Sequence, residues 1–382
     1  MSAYVKKHSF QEFSVKADDR ADPARAQAAR ASASLTEALI ASRPLPEREV
    51  LKSVRADLAA GENGRFKITA FIAAEMEKLR DADLPPYLFH RYRYDVWPAE
   101  RKLDDYPPYL QLEPVSYCNY RCTFCFQTDR KYFKKNAENM GVMDPGLFRE
   151  VLEEAAGKVE FFSIASRGEP LLHPEFGKLM AAVKPGRFLG LKINTNAAVL
   201  DDEKSRAILE SGVSTLVYSA DAATPALYAK LRVGGQLSRV QKNIERFQEI
   251  RAKEYPGSKI ITRVSGVRVS SEQSIESMRS YWGSLADQVT FVAYNPWENI
   301  YEAAENGIAE PCSDLWRRMF VWWNGLVNPC DSDYKSMLAV GKWSAGGNSL
   351  SDLWKSERYQ ALRAAHLARR AGQAPCNRCS VV

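Results

Sequence analysis

The chain has 382 residues, a formal net charge of +6 at pH 7 and 26% charged residues. This length allows a substantial core and two or three structural units, and no basic run with interleaved aromatic residues predicts nucleic-acid binding. Without an apolar stretch of about 18 residues or the apolar core of a signal peptide, the sequence predicts a cytoplasmic protein with no membrane segment. In that compartment clustered cysteines bind metal or take part in catalysis.

Residues 1–107 are expected to form a helical N-terminal extension. The segment from Ala17 to Ala41 predicts one polar helix or a partly ordered arm. Two amphipathic helices follow, at residues 46–60 and 66–80, because apolar residues recur at helical spacing. A lid, an interface and a packing arm are all open as roles for this region.

From residue 108 strands and helices alternate. The predicted strands cover residues 109–113, 159–165, 189–194, 214–219, 259–269 and 289–294, and helices are predicted between them. Repeated strand–helix units predict a parallel sheet, open or closed into a barrel, with the chemistry at the carboxyl ends of the strands. The fold class is therefore α/β.

The alternation ends after residue 295. Residues 319–327 predict a hairpin in which Asn324 and Gly325 form a type I′ turn, since both can adopt positive φ. A long helix is predicted at residues 350–369, before a terminal Cys-x-x-Cys. This part of the chain predicts a separate small domain.

Three of the seven cysteines lie within eight residues, as Cys118, Cys122 and Cys125. Three thiolates are one short of a closed structural metal site, and an open coordination position is typical of metal chemistry. A zinc site completed by a distant residue and three ordinary buried cysteines are the alternatives. The spacing favours an iron–sulfur cluster, because zinc sites usually use Cys-x-x-Cys pairs.

This motif resembles that of the radical S-adenosylmethionine (SAM) enzymes, and the resemblance extends from about residue 109 to the C-terminus. It implies a partial (β/α)6 barrel over residues 108–300. The three cysteines would hold a 4Fe-4S cluster whose fourth iron is chelated by SAM, and Phe124 would pack near the adenine. The resemblance also implies an electron donor such as flavodoxin or ferredoxin.

Further segments fit this resemblance in order along the chain. Gly168 and Glu169 are similar to the Gly-Glu-Pro element that holds the SAM ammonium group, although Arg167 stands where the family often has glycine. The other implied SAM contacts end the next two strands or follow them, and they are Thr195, Asn196, Ser219, Asp221 and Arg232. Each could equally be a turn or a helix cap; their combined order favours SAM.

The other four cysteines, Cys312, Cys330, Cys376 and Cys379, resemble those of the SPASM domain or the shorter Twitch domain. The resemblance implies an auxiliary 4Fe-4S cluster in residues 301–382, and a four-cysteine zinc site is the alternative. Three cysteines and four account for all seven. None is left for a second auxiliary cluster or as a hydrogen-atom donor to a product radical.

The resulting hypothesis is a radical SAM dehydrogenase that resembles the single-auxiliary-cluster enzymes of aminocyclitol biosynthesis. A 5′-deoxyadenosyl radical would abstract hydrogen from a sugar, a cyclitol or a similar polar small molecule. The auxiliary cluster would then accept an electron, which gives net two-electron oxidation such as alcohol to ketone. Rival hypotheses are peptide or sulfatase maturation, a redox-neutral reaction on a sugar, and a non-catalytic zinc protein.

No catalytic base is assigned from the sequence. Four residues, each with a solvated surface role as the favoured alternative, lie where the cleft is expected: Arg167, Tyr294, Glu298 and Tyr301. None of the four histidines, His8, His90, His173 and His366, lies near a cysteine set in the sequence. Histidine is therefore expected to contribute little to either metal site.

Overall fold

A computed structural model describes residues 10–15, 22–134, 138–292 and 294–382 of the chain. These residues divide into two compact units. One contains the described residues between 15 and 103, and the other contains residues 10–14 together with the described residues between 104 and 382. Each unit is described below by itself.

The sheet of the larger unit has ten strands, and its first strand, β1 (Phe10–Val15), lies in the region expected to be helical. Six residues are too few for periodicity to distinguish a strand within a long helical segment. The predicted helix from Ala17 to Ala41 begins at residues 17–21, outside the described part. Its described part is two helices, because Leu35 leaves helical backbone geometry and the Thr36 side chain caps the second helix.

Between residues 22 and 103, the regular secondary structure of the smaller unit is helical. Arg30 joins the first helix to the end of the fourth, donating hydrogen bonds of 2.8 Å to the carbonyl oxygens of Met76 and Leu79. Its helices are α1 (Pro23–Ser34), α2 (Glu37–Ala41), α3 (Glu47–Ala59), α4 (Ala70–Met76), α5 (Leu84–Asp95) and α6 (Trp97–Glu100). The helix predicted at residues 66–80 is thus confined to α4.

The strands of the repeated strand–helix units lie parallel to one another in the large sheet, as such units require. They are β2 (Tyr109–Leu112), β4 (Phe161–Ile164), β5 (Gly190–Thr195), β6 (Thr215–Ser219), β8 (Ile261–Val267) and β9 (Gln288–Val292). Two short strands, β3 (Arg121–Cys122) and β7 (Arg232–Val233), pair with each other as a separate antiparallel ribbon. The α/β class is confirmed, and the sheet is open rather than closed into a barrel.

Helices connect these strands along the chain. They are α7 (Pro145–Ala155), α8 (Phe176–Ala182), α9 (Asp202–Glu210), α10 (Pro225–Leu231), α11 (Leu237–Glu254) and α12 (Ile275–Trp282). The Asp144 side chain caps α7 by accepting from the backbone N–H groups of Gly146 and Leu147, as the Asp-Pro sequence predicts. On one face of the sheet, Gln248 of α11 donates to the Thr262 hydroxyl of β8 at 3.1 Å. This helix therefore packs on that face of the sheet, here called the outer face.

The C-terminal segment extends the same sheet across the predicted boundary at residue 300. Its first strand, β10 (Arg318–Val321), lies parallel to β2 with Phe320 opposite Gln111. The strands β11 (Leu326–Asn328) and β12 (Gly341–Lys342) follow antiparallel at the edge. The backbone pairs of these three strands therefore complete one edge of the parallel sheet.

The hairpin was predicted correctly, but its turn type was not. Within residues 322–325, all of them described, only Gly325 has positive φ, at +83°. Its N–H donates to the Trp322 carbonyl at 2.8 Å, so Trp323 and Asn324 are the central residues of the turn. A glycine immediately after the turn produces the three-residue loop with a bulge rather than a type I′ turn.

The helix predicted at residues 350–369 is two helices, α13 (Leu350–Trp354) and α14 (Glu357–Arg369). The break occurs because the Ser356 side chain caps α14, accepting from the N–H of Tyr359 at 3.3 Å. Searched over its described residues, the chain contains no helix that is long and apolar enough to cross a membrane.

Candidate metal and cofactor site

The three clustered cysteines lie in the loop between β2 and α7. Cys122 belongs to β3 and lies opposite Arg232 of β7, so the ribbon ties the middle of this loop to the end of α10. The Cys118 sulfur accepts from the N–H of Tyr120 at 3.4 Å and is 3.7 Å from Nδ2 of Asn196. These contacts hold the loop to β7 and to the end of β5.

Burial sets the chemistry of these three thiols. Burial, with the nearby Glu169 carboxylate, raises the pKa of Cys118 to about 12, and burial also raises the pKa of Cys122 and Cys125. Such groups stay protonated unless a positive charge is brought to them, as a bound metal does. The donor set therefore fits a thiolate-bound metal centre.

Glu169 follows β4 and is 3% exposed. Its carboxylate accepts from the Thr195 hydroxyl at 2.6 Å, from the N–H of Asn196 at 2.7 Å and from the N–H of Leu171 at 3.1 Å. Burial raises the pKa of Glu169 to about 6 against the lowering effect of these hydrogen bonds. Three predicted contacts, Glu169, Thr195 and Asn196, thus form one network beside Cys118.

Gly168 is required by the close approach of the cysteine loop. A Cβ atom at this position would lie 2.2 Å from the carbonyl oxygen of Val115 and 2.4 Å from that of Tyr117. The N–H of the next residue, Glu169, donates to the same Tyr117 oxygen at 2.9 Å. Only glycine therefore fits between the loop and the carboxylate.

Asp221 and Arg232 form a buried ion pair, with Nε of Arg232 2.5 Å from Oδ2 of Asp221. Burial alone would lower the pKa of Arg232, but the carboxylate beside it raises that pKa well above its ordinary value. The same guanidinium lies 5.8 Å from the centroid of the Phe124 ring. Ser219 lies at the end of β6 and is partly exposed.

Arg167 is not a surface residue. It is 4% exposed and grips Glu113 at the end of β2 through Nη2 at 2.5 Å and Nε at 2.7 Å. Its Nη1 donates to the Tyr334 carbonyl at 3.0 Å, and its guanidinium lies 4.6 Å from the Trp322 ring centroid. The expectation of a solvated role is wrong, since these partners replace the water that an exposed guanidinium would bind.

The other candidates for a catalytic base form side-chain hydrogen bonds within the C-terminal region. The Tyr301 hydroxyl donates to Asp333 at 2.6 Å, and Tyr294, 37% exposed, donates to Glu298. Burial raises the pKa of Asp333 to about 6. Tyr301 is therefore held by an internal partner, whereas Tyr294 keeps the exposed position that was expected.

All four C-terminal cysteines line a single cavity, although they are spread over 68 positions of sequence. The cavity also contains His366, which is 1% exposed and whose Nδ1 accepts from the N–H of Cys312 at 3.2 Å. The sequence separation of His366 from every cysteine set concealed this contact. Helix α14 brings the histidine back to the cysteines.

No three of the His, Cys, Asp and Glu side chains in the described residues converge closely enough to hold one metal ion. The cysteines of each set nevertheless share one environment. The first three lie close together in the Cys118 loop, and the other four line the C-terminal cavity. An iron–sulfur cluster is larger than a single ion and bonds each cysteine to a different iron.

An aromatic cluster lies between the two cysteine sets. Its buried members are the aromatic residues Phe126, Phe133 and Tyr334, together with Ile300, and both Cys125 and Cys379 pack against it. The ring centroids of Phe126 and Tyr334 are 5.2 Å apart. The two candidate metal sites therefore border the same apolar cluster, a relationship that the sequence does not reveal.

The face of the sheet opposite α11, here called the inner face, is predominantly polar. Strand register places Gln111, Ser163, Lys192 and Thr215 side by side on it, and Arg263 beside Gln288. Side-chain contacts confirm the shared face, because Ser163 donates to Gln111 at 3.2 Å and Arg263 to Gln288 at 2.6 Å. Strand interiors of closed barrels usually carry branched apolar residues instead.

Comparison with known families matches two parts of the chain. Residues 112–279 match the model of the Radical SAM superfamily, and residues 312–380 match the model of SPASM, an iron-sulfur cluster-binding domain. Together these segments cover more than half of the chain.

Individual proteins that resemble this chain have low sequence identity to it. The tungsten-containing aldehyde ferredoxin oxidoreductase cofactor-modifying protein of Pyrococcus furiosus is 25% identical over 301 residues, 67% of this chain and 83% of that protein. The crystal structure of Streptococcus suis SuiB bound to precursor peptide SuiA has a TM-score of 0.51 at 16% identity, covering 87% of this chain and 81% of that one. That of BtrN in complex with AdoMet and 2-DOIA has a TM-score of 0.48 at 18% identity, covering 73% and 95%.

Proposed function

Because this chain belongs to the radical SAM superfamily and carries a SPASM domain, we propose that it oxidises a polar small molecule by two electrons, for instance an alcohol to a ketone. The family membership makes it an enzyme that uses SAM with a 4Fe-4S cluster, and the SPASM domain adds an auxiliary iron–sulfur cluster. The substrate class and the oxidation are the proposed part.

The residues of the two cysteine sets fit these cofactors. We assign the SAM-binding cluster to Cys118, Cys122 and Cys125, which leaves one iron without a cysteine ligand. The auxiliary cluster is assigned to the four cysteines of the C-terminal cavity, Cys312, Cys330, Cys376 and Cys379, which together saturate four irons.

When bound, SAM and its cluster would supply a 5′-deoxyadenosyl radical able to take a hydrogen atom from a substrate C–H. The auxiliary cluster would supply an acceptor for the second electron, and the hydroxyl proton would be released. The Glu169 carboxylate, already fixed by Thr195 and Asn196, binds the SAM ammonium group. The polar side chains of the inner face orient the substrate. The buried aromatic cluster keeps water out of the layer between the two metal sites.

The observation that carries the proposal is the cavity formed by the four C-terminal cysteines. With all four directed to one site and the other three in the Cys118 loop, no thiol is left to return a hydrogen atom to a substrate radical. The neighbouring auxiliary site is then the natural destination for the radical's electron. This arrangement favours oxidation over a redox-neutral reaction.

A small-molecule substrate is supported by the polar inner face and by the name of the Pyrococcus relative, a cofactor-modifying protein. The likeness to SuiB concerns the fold alone, so peptide modification has no residue-level support here. A peptide substrate would be the better hypothesis if a precursor peptide, and no small polar molecule, stimulated SAM cleavage.

Iron and sulfide analysis of the anaerobically reconstituted protein tests the assignment. We expect about eight irons per chain, and about four in the variant with Cys118, Cys122 and Cys125 replaced by alanine. The variant with Cys312 and Cys376 replaced should also hold about four irons and should cleave SAM without forming oxidised product. A product with unchanged oxidation state from the intact enzyme would refute the proposed oxidation.

A further inference from the structure

Lys192 is a cation on the inner face whose charge is not balanced by an acid. It lies on β5, is partly exposed, and has its Nζ atom 5.9 Å from the centroid of the Tyr109 ring. Across the described part of the chain it takes part in no ion pair. Most lysines that point into a protein are matched by a carboxylate, since an unmatched charge is costly away from water.

The carboxylates of this face are already engaged. Glu113, directly after β2, is paired with Arg167, and Asp314, which lines the C-terminal cavity, lies 3.1 Å from Nε of Arg317. A second cation, Arg263, donates to the neutral amide of Gln288. The charge of Lys192 therefore acts on whatever enters the space in front of the sheet.

The pKa of Tyr109 indicates the sign of the electrostatic potential near Lys192. Burial alone would raise its pKa, but the charges of Lys192 and Arg318, together with hydrogen bonds to Ser163 and Lys192, outweigh burial and lower the pKa below its ordinary value of 10. A phenol that is fully buried and yet more acidic than in water lies in a positive potential. This positive potential agrees with the presence of the cations Lys192 and Arg263 on the inner face.

Asn194 lies two residues after Lys192 on the same face, nearer the carboxyl end of β5. Its Oδ1 atom is buried, and within the described residues it has no hydrogen-bond partner. A buried acceptor without a donor costs about 1–3 kcal/mol, which a bound hydroxyl group would recover. Ser219 of β6, the strand next to β5, and Ser265 of β8, the strand beyond it, are partly exposed on the same face.

We propose that the substrate is a polyhydroxylated anion, whose carboxylate or phosphate is bound by Lys192 and one of whose hydroxyls donates to Asn194. This rests on the proposed function and narrows its substrate class. The ammonium of Lys192 supplies a charge-assisted hydrogen bond, and Asn194 selects molecules with a hydroxyl near the anionic group. A neutral or cationic sugar would leave Lys192 unmatched or repelled.

The carboxylate of SAM is the other anion that could reach Lys192. It must therefore be distinguished from a substrate anion. Glu169, Thr195 and Asn196 follow Lys192 at the strand ends, beside the Cys118 loop. Lys192 precedes Thr195 by three residues on β5. It is therefore farther than that network from the carboxyl end of the strand.

The experiment measures melting temperature against ligand concentration for the anaerobic enzyme with both clusters and SAM bound, which gives apparent affinities. Each of two sets contains related polyhydroxylated compounds of different charge. The first set is gluconate, glucose 6-phosphate, glucose and glucosamine, and the second is myo-inositol 1-phosphate, myo-inositol and scyllo-inosamine. We expect an anionic member to bind at least about tenfold more tightly than its neutral and cationic counterparts. Comparison of gluconate with the phosphates distinguishes the two kinds of anion.

Lys192→Gln should abolish this preference and leave SAM affinity unchanged, and Asn194→Ala should weaken every hydroxylated ligand. Lys253→Gln, on the exposed side of α11, is the matched control and should behave as the unmodified enzyme. Equal binding of neutral members, no shift with any anion, or a Lys192→Gln variant that loses SAM instead would overturn the proposal. Oxidation of a neutral substrate would overturn it while the proposed function stood.

Discussion

Arg232 lies directly opposite Cys122 in the β3–β7 ribbon, with its Nη1 atom 3.9 Å from the Cys122 sulfur. The same guanidinium is paired with Asp221, which also accepts from the N–H of Val267 at 2.7 Å. The middle cysteine of the motif is thus linked through one side chain to the ends of β6 and β8. This fixes the cysteine loop relative to the strands of the large sheet.

Replacing Arg232 with Gln is expected to destabilise the protein by about 3–5 kcal/mol, because Asp221, with no exposed surface, would be left as an unpaired buried charge. Urea unfolding of the reconstituted enzyme measures the change. The double variant Arg232→Gln/Asp221→Asn should recover part of the loss, since neither partner is then charged. If the double variant is no more stable than Arg232→Gln, the pair is not the source of the effect.

Gly168→Ala is expected to displace the cysteine loop, because the added methyl group would overlap the carbonyl oxygens of Val115 and Tyr117. The cost should be about 1–3 kcal/mol, with incomplete iron incorporation at the Cys118 set. Gly177→Ala is the matched control. Nothing lies within 4 Å of a Cβ at that helical position, so stability should be unchanged or slightly higher.

Glu169 is expected to make SAM binding pH-dependent. Its folded-state pKa of about 6 lies above the ordinary value of 4.5, because burial disfavours the charged form. Below about pH 6 the carboxyl group is protonated and cannot pair with the SAM ammonium, so affinity should fall about tenfold per pH unit. Equilibrium binding between about pH 5.5 and about pH 8 measures this.

The same pKa gives a stability prediction of opposite direction for the protein without SAM. Between 4.5 and about 6 the folded state holds more protons than the unfolded state, so stability falls as pH rises through this window. Glu169→Gln cannot titrate and should remove both dependences. A SAM-binding profile that kept its shape in this variant would assign the dependence to another group.

Arg167→Lys is expected to destabilise the protein almost as much as Arg167→Met. The Glu113 carboxylate is gripped by two guanidinium nitrogens, and a lysine ammonium cannot reproduce that planar fork. We expect a loss of about 3–5 kcal/mol on thermal or urea unfolding, because Glu113 is fully buried. A Lys variant as stable as the parent would show that charge alone is sufficient here.

The sequence by itself determined the order of strands and helices, because apolar periodicity and capping residues act over a few neighbouring positions. Asp144 and Pro145 begin a helix as predicted, and Gly168 and Glu169 follow a strand. The spacing of Cys118, Cys122 and Cys125 identified the family, since ligands to one cluster within a loop must lie close in sequence. Element boundaries failed where side-chain caps decided them, as at Ser356.

Only the tertiary structure decided which distant residues meet. His366 and Cys312 are 54 positions apart and share a hydrogen bond, and Arg167 reaches Tyr334 across 167 positions. The aromatic layer between the two cysteine sets and the unmatched charge of Lys192 likewise depend on strand register and on the return of the C-terminal segment to β2. Local sequence encodes backbone preference, whereas these contacts follow from how complete elements pack, which no short pattern records.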